Sequence, residues 1–184
     1  MLTGGQLIGF AFLLIAAAGA SGQKVAVEYE ARGDYSGFLT YAWARGIQVK
    51  DRRIDRAIIE GIDWRLGAAG LQRVDGSGDP DLVVVYYAAE GARLEVNTAD
   101  LAGWGPGWES SLGRHGTATS PVRQISAGEL AVEIAHVKSR RFIWRGTATG
   151  TIAEKPNTTM KLLNQALDKM FQKFPPRTGQ RRID

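Results

Sequence analysis

The sequence predicts an α+β domain, namely a mainly antiparallel sheet with two amphipathic helices packed on one face. Residues 51–70 and 157–174 carry apolar side chains at every third or fourth position, which is the period of a helix with one buried face. The segments before and between them alternate apolar and polar residues or are apolar throughout, as strands do. The order strand, helix, several strands, helix therefore indicates one sheet with a helical layer.

Length and composition fit one domain preceded by a short leader. The chain has 184 residues, of which 44% are hydrophobic, enough for a core of that size. The net charge of +4 is too small to indicate nucleic-acid binding without a patterned basic face. We predict a single domain over residues 24–178 and a solvated basic tail over 179–184. The sequence has no cysteine, which excludes disulfides, thiolate metal sites, cysteine nucleophiles and the cysteine of a bacterial lipid anchor.

Residues 1–20 have the pattern of a signal peptide. The apolar run from Leu7 to Ala20 is shorter than the about 20 residues of a membrane span. Ala18 and Ala20 supply small side chains at the two positions that a signal peptidase reads, so we predict cleavage after Ala20 and export to the periplasm. No Lys or Arg precedes the apolar run, and the alternative is an uncleaved segment that anchors the protein to the membrane.

The first strand and the first helix follow the leader. Residues 24–31 alternate apolar and acidic side chains, as a half-buried strand does, and residues 34–43 are predicted to form a turn and a short extended piece. Asp51 is predicted to cap a helix that ends at Gly70. The apolar stripe of this helix comprises Ile54, Ala57, Ile58, Ile62, Leu66 and Ala69.

The middle of the chain carries a buried strand. Residues 82–89 are apolar at odd and even positions alike, which predicts a strand covered on both faces near the centre of the sheet. Asp79-Pro80 forms the turn before it. A hairpin through Glu90-Gly91 is then predicted to bring residues 93–96 back beside this strand, with Leu94 and Val96 facing inward.

Residues 98–121 are predicted to form a long loop, because they hold five glycines and no sustained period. Trp104, Trp108 and His115 are the candidate binding residues in this loop. A sugar ring or an apolar ligand can stack on an exposed indole. The alternative is that both indoles fold back and close one end of the sheet.

The last strands form a predicted antiparallel hairpin of residues 129–137 and 140–152. Its alternation sends Phe142 and Trp144 into the core, while Arg145 lines an open, solvated face. Gly146 is predicted to relieve close packing beside Trp144. Glu129 and Glu133 are predicted to be solvated.

Asn157 is predicted to cap the final helix, and Pro175-Pro176 to stop it. The apolar stripe of this helix comprises Met160, Leu163, Ala166 or Leu167, Met170 and Phe174.

The sequence lacks the motifs of the common catalytic and cofactor sites. The residue five places after Gly146 is Thr151, so no phosphate-binding loop with its Lys is formed. His115 and His136 are twenty-one residues apart, which is not the spacing of a helical metal pair, and no Gly-x-Ser-x-Gly motif occurs. We therefore predict no catalytic constellation, no metal, no cofactor and no nucleic-acid partner.

Five segments together resemble the domain of unknown function 4136 family. They are residues 34–43, 69–71, 79–84, 130–146 and 174–176, in this order and spacing. The resemblance covers nearly the whole mature chain and implies a bacterial envelope protein, often a lipoprotein, with one α+β domain. Two departures are the missing cysteine at the end of the leader, and Glu133 and His136 at positions where members tend to carry aspartates.

These features favour an exported, non-catalytic binding or structural domain whose partner is an envelope protein, a glycan or a small ligand. The resemblance carries over no catalytic residue. The alternative is an envelope hydrolase that uses dispersed carboxylates together with His115 or His136. Membrane attachment is expected only if the leader stays uncleaved.

Overall fold

The computed structural model describes residues 15–18, 23–30, 35–74, 79–90, 94–96, 123–153, 155–172 and 174. These residues form two helices and nine strands. The helices are α1 (Arg52–Ala68) and α2 (Pro156–Phe171). The strands are β1 (Ile15–Ala18), β2 (Lys24–Tyr29), β3 (Thr40–Trp43), β4 (Gln72–Arg73), β5 (Leu82–Ala88), β6 (Leu94–Val96), β7 (Arg123–Ile125), β8 (Leu130–His136) and β9 (Arg141–Thr149).

One mixed sheet organises the fold, with strand order β1-β2-β9-β8-β5-β3-β4. The pairs from β1 across to β5 are antiparallel, whereas β3 is parallel to both β4 and β5. Helix α1 supplies the crossover that a parallel β3–β4 pair requires. The predicted α+β fold with a mainly antiparallel sheet is confirmed.

Helix α1 begins and ends as predicted. The Asp51 side chain accepts a hydrogen bond from the Arg53 backbone N–H at 2.8 Å, which caps the first turn. Gly70 follows the helix with a φ of 92°, a left-handed conformation that favours glycine. The buried face consists of Ile54, Ile58, Ile62 and Leu66.

Hydrogen bonds to Asp63 link α1 to β3 and β4 at the parallel edge of the sheet. Its Oδ1 accepts hydrogen bonds from the Tyr41 hydroxyl at 2.6 Å and the Trp43 indole N–H at 2.9 Å, and its Oδ2 accepts one from Arg73 at 2.9 Å. Burial is the main cause that raises the pKa of Tyr41 above its ordinary value, so the phenol stays protonated and donates. Three strand residues thereby fix the position of the C-terminal half of α1.

Both helices pack on the same face of the sheet, as predicted. A single buried cluster joins Ile58 and Leu66 of α1, Leu163 and Met170 of α2, and Trp144 of β9. Two details of α2 differ from the prediction. The helix begins at Pro156 with Lys155 as N-cap and no side-chain cap, so Asn157 lies in the first turn. It ends at Phe171, so Phe174 lies beyond it.

The opposite face of the sheet, called here the second face, is also covered in its centre. Val85, Tyr87 and Ala131 are buried there together with Ile125 of β7. This explains why β5 is buried at every position, as predicted for a central strand. The predicted hairpin of residues 93–96 with the preceding strand is wrong, because β6 pairs with β7 while β5 lies between β8 and β3.

The β8–β9 hairpin is confirmed, but Phe142 lies on the other face from the one predicted. The register shifts between Ile134 and Ala135, so that Ile134 is opposite Trp144 and Ala135 is opposite Phe142. Phe142 therefore packs against Ala135 on the second face. Trp144 is in the core as predicted, with 1% of its surface exposed.

Gly146 has the packing role that was predicted. A Cβ at this position would lie 2.7 Å from Cη2 of Trp144 and 3.0 Å from two atoms of Met170. Only glycine allows the indole and the methionine to approach the strand this closely.

Part of the predicted leader belongs to the sheet, because β1 comes from it and pairs with β2. The predicted tail, 179–184, lies outside the described residues. No helix among the described residues is long and apolar enough to cross a membrane.

Candidate functional site

The three binding residues predicted from the sequence, Trp104, Trp108 and His115, lie outside the described residues and stay predictions. Within the described part of the chain, a surface groove between α1 and α2 has the features of a binding site. We call it the helix groove. It has a volume of about 200 Å³ and is lined by Trp64, Arg65, Ala68, Ala69, Asp168, Phe171, Gln172 and Phe174.

Trp64 forms one wall of the helix groove. It lies on the outer side of α1, away from the buried stripe, and 69% of its surface is exposed. The guanidinium carbon of Arg65 lies 5.5 Å from the ring centroid, which is within the range of a cation–π contact. Arg65 therefore holds the indole against the helix while most of Trp64 stays accessible to a ligand.

Arg65 also links the two helices. Its NH2 donates to Oδ1 of Asp168 at 2.6 Å, and its NH1 donates to the Gly61 carbonyl at 2.6 Å. The Arg65 side chain is largely buried and that of Asp168 is mostly exposed. Since solvent screens such a pair, we assign it the role of fixing the groove geometry rather than of adding much stability.

Aromatic rings form the floor of the helix groove and connect it to the sheet. Phe171 and Phe174 lie with ring centroids 5.6 Å apart. Their centroids are 4.8 Å and 5.5 Å from that of the buried Trp144. The Trp144 indole N–H is buried and has no hydrogen-bond partner among the described residues. The floor is therefore rigid, because all three rings pack on one another.

Both helices end at the helix groove. Ala69 is the C-cap of α1 and Gln172 is the C-cap of α2, and both line it. The C-terminal end of a helix carries partial negative charge. Together with the Asp168 carboxylate, these ends favour a ligand that presents hydroxyl or amine hydrogens.

A second polar cluster crosses three strands on the second face. Arg145 of β9 is opposite Glu28 of β2 on one side and opposite Glu133 of β8 on the other. Its Nε donates to Glu133 Oε1 at 2.9 Å, and its NH1 lies 3.6 Å from Glu28 Oε2. Burial lowers the pKa of Arg145, but arginine remains charged at any physiological pH.

This cluster corrects two predictions about the second face. Glu133 was predicted to be solvated, yet only 1% of its surface is exposed. Arg145 was predicted to line an open face, yet it is only partly exposed and is engaged by two carboxylates. Both differences arise because a second layer covers the centre of this face. A cavity of about 130 Å³ lies beside Arg145, between Glu28 and Phe142.

His136, one of the two histidines named in the hydrolase alternative, and Asp81 lie at neighbouring strand ends. Asp81 Oδ2 accepts hydrogen bonds from the backbone N–H groups of Leu39 and Thr40 and from the Thr40 hydroxyl, and these bonds lower the pKa of the carboxyl. The His136 ring packs on Phe38 with centroids 4.8 Å apart, and burial lowers its pKa. Asp81 is therefore occupied in joining β3 to β5. Among the described residues, no group of His, Asp and Glu is arranged to hold a metal.

The helix groove was not anticipated from the sequence. Trp64 interrupts an otherwise polar outer face of α1, and an aromatic residue off the apolar stripe is the only local signal it leaves. The opposite wall of the groove comes from α2 and the residues just after it, about one hundred positions later in the chain, so the proximity of the two walls depends on tertiary packing.

The fold and the helix groove define a class of protein: an α+β domain with one large mixed sheet and a two-helix layer that carries an exposed aromatic groove. The chain belongs to the family described as domain of unknown function DUF4136, whose family model matches residues 25–176. No curated protein shows a significant match.

Three solved structures are similar to this chain, and the first of them supports the same fold. A DUF4136 family protein from Bacteroides thetaiotaomicron is similar with a TM-score of 0.54 and 14% identity, over 82% of this chain and 95% of that chain. A PDZ domain protein from Parabacteroides distasonis has a TM-score of 0.45 and 15% identity, over 79% of this chain and 34% of that chain. A PelC dodecamer from Paraburkholderia phytofirmans has a TM-score of 0.40 and 11% identity, over 79% of this chain and 95% of that chain. The first of these similarities, at 14% identity, shows the fold alone.

Proposed function

We propose that the protein is an exported envelope domain that binds a ligand without transforming it, and that the helix groove is its binding surface. The observation that carries this proposal is Trp64, whose indole is 69% exposed at the edge of a preformed groove. A large aromatic side chain of this kind is enriched where one partner docks on another. The leader pattern of residues 1–20 supports a location in the periplasm.

The ligand class that suits the helix groove best is a saccharide of the cell envelope. The apolar face of a sugar ring stacks on an indole, while its hydroxyls donate to acceptors at the rim. Here the acceptor at the rim is the Asp168 carboxylate, whose side chain is 69% exposed. A volume of about 200 Å³ is below the roughly 300–1,000 Å³ typical of sites for drug-sized molecules, and so fits a single ring of a chain.

Three acidic side chains of α1 and the sheet have structural partners, which supports binding as the activity. Asp63 accepts from three strand residues, Asp81 joins β3 to β5, and Glu133 pairs with Arg145. Asp168 also accepts a hydrogen bond, from Arg65, but 69% of its side chain stays exposed at the rim of the helix groove, where a ligand can reach it.

The test is co-sedimentation of the purified processed protein with isolated cell-wall glycan, comparing the wild type with Trp64→Ala. We expect the variant to lose most of the binding, because truncating a central aromatic contact typically costs more than 1 kcal/mol, at least about fivefold in affinity. Leu39→Ala is the matched control, since Leu39 is 65% exposed and is not among the groove residues.

The possible outcomes separate the two candidate surfaces. If Trp64→Ala binds less and Leu39→Ala binds as the wild type does, the helix groove is the site. If binding falls only when Trp104 and Trp108 are replaced by Ala, the site lies in the 98–121 loop and the groove assignment is wrong. Wild-type protein that stays in the supernatant contradicts a glycan ligand.

Export has a separate test, the mass of the N-terminus of protein recovered from cells. Cleavage after Ala20 leaves a chain that begins at Ser21. A chain that begins at Met1 and fractionates with membranes contradicts cleavage and supports the uncleaved anchor.

A further inference from the structure

The outer edge of β2 is the part of the sheet that leader removal would change most. β2 lies between β9 and β1, and β1 consists of residues 15–18, which belong to the predicted leader. β1 pairs antiparallel with β2, from Ile15 opposite Val27 to Ala18 opposite Lys24. Cleavage after Ala20 would detach β1 and leave β2 as the edge of a six-strand sheet.

The hydrogen-bonding groups at this edge can be assigned. The Glu30 N–H donates to the Ile143 carbonyl of β9 at 2.9 Å. The direction of these bonds alternates from one residue to the next along an antiparallel strand. The backbone groups of Val25, Val27 and Tyr29 therefore point away from β9 and toward the edge that β1 occupies.

The β2 edge has few of the features that prevent a strand from pairing with another chain. Natural edge strands are protected by proline, by bulges or by several charges. β2 contains no proline, and its register with both neighbours is continuous. Its centre is Val25-Ala26-Val27, with Lys24 and Glu28 on either side.

We propose that, once the leader is removed, the β2 edge of a second copy of this chain takes the place of β1. The two strands pair antiparallel about a twofold axis at Ala26. Val25 of one copy then lies opposite Val27 of the other, and these residues exchange the outward N–H and carbonyl groups identified above. The inference rests on the proposed leader removal.

Charge complementarity favours a second copy of this chain as the partner that pairs with the β2 edge. In this register Lys24 of each copy lies opposite Glu28 of the other, so two pairs of opposite charge form per dimer. Both positions belong to non-hydrogen-bonded pairs, in which side chains approach most closely. Lys24 is exposed, and the Glu28 carboxylate keeps 37% exposure and is 3.6 Å from Arg145. Each carboxylate would thus lie between two cations.

The test measures the mass of the processed protein by sedimentation equilibrium, after mass spectrometry has established its N-terminus. We expect a dimer. Lys24→Glu places like charges opposite each other twice and should raise the dimer dissociation constant by about tenfold. The double variant Lys24→Glu with Glu28→Lys again places opposite charges across the interface and should restore the dimer. The double variant Lys24→Glu with Glu30→Lys should not restore it. The two rescue variants are matched, because each removes one ion pair with an arginine of β9.

Val27→Pro provides a test that leaves these charges unchanged. Proline at this position removes an N–H that points to the edge and none of the bonds to β9, so the variant should remain folded by circular dichroism and become monomeric. A processed chain beginning at Ser21 that is monomeric overturns the β2 pairing and leaves the proposed function standing. A dimer that survives both Val27→Pro and Lys24→Glu, or that is rescued by Glu30→Lys, also overturns it. A chain that retains Met1 overturns both leader removal and the β2 pairing. Glycan binding by the helix groove is measured separately and is not decided by that result.

Discussion

Gly146→Ala tests the packing that joins the sheet to α2. The added methyl group would lie 2.7 Å from Cη2 of Trp144 and 3.0 Å from Cγ and Sδ of Met170. Both neighbours are 1% exposed, so neither can move into solvent. Overpacking of a dense core costs about 1–3 kcal/mol. Replacing glycine recovers about 0.5–1 kcal/mol of chain entropy, and the midpoints of the two ranges leave a net loss of about 1–1.5 kcal/mol.

The assay is urea denaturation followed by circular dichroism, with a thermal melt as a second readout. We expect the melting temperature to fall by about 3–6 °C. Gly67→Ala is the matched control, because beyond its chain neighbours and its own helix backbone a Cβ at Gly67 would meet no atom within 4 Å, and alanine favours a helix. That variant should gain about 0.5–1 kcal/mol. A Gly146→Ala protein as stable as the wild type would refute the packing argument.

Three further predictions concern polar contacts. Glu133→Gln weakens the buried ion pair between Glu133 and Arg145. Urea denaturation should show a free energy of unfolding lower by about 1–3 kcal/mol. An unchanged urea midpoint would show that the ion pair contributes nothing to stability. Asp63→Ala leaves the Tyr41 hydroxyl without its acceptor and should cost about 2–3 kcal/mol, and a melt within one degree of the wild type would contradict that. The pKa of Asp81 is lower in the folded protein than in the unfolded chain, where it is about 3.9. The Asp81 carboxylate therefore stabilises the folded protein fully above that unfolded pKa, and this stabilisation is lost as the pH falls through the folded-state pKa. Asp81→Asn should therefore flatten the fall in melting temperature below about pH 4, and an equally steep fall in both proteins would oppose this assignment.

Local patterns determine much of the fold, and these parts could be predicted from the sequence. Asp51 and Gly70 mark the ends of α1 because a cap and a left-handed glycine act within one turn. Residues 82–89 are apolar at both parities because two layers cover β5. The burial of Trp144 and the role of Gly146 follow from alternation along a single strand.

The remaining features depend on contacts between distant segments. The register shift beside Ala135 moves Phe142 to the second face, and no sequence signal marks that shift. β6 pairs with β7 because residues far apart in the chain meet, which alternation does not encode. The helix groove was missed for the same reason, since Trp64 becomes a groove wall only where α2 packs beside α1.

Chemical-shift mapping by nuclear magnetic resonance tests the central claim most directly. Soluble cell-wall glycan fragments would be titrated into the isotopically labelled, processed protein. We predict that the indole N–H of Trp64 and the backbone amides of Ala69 and Gln172 shift together with one dissociation constant, while amides on the second face stay in place. Shifts confined to residues 98–121 or to the second face, with the Trp64 indole signal unchanged, would contradict binding in the helix groove.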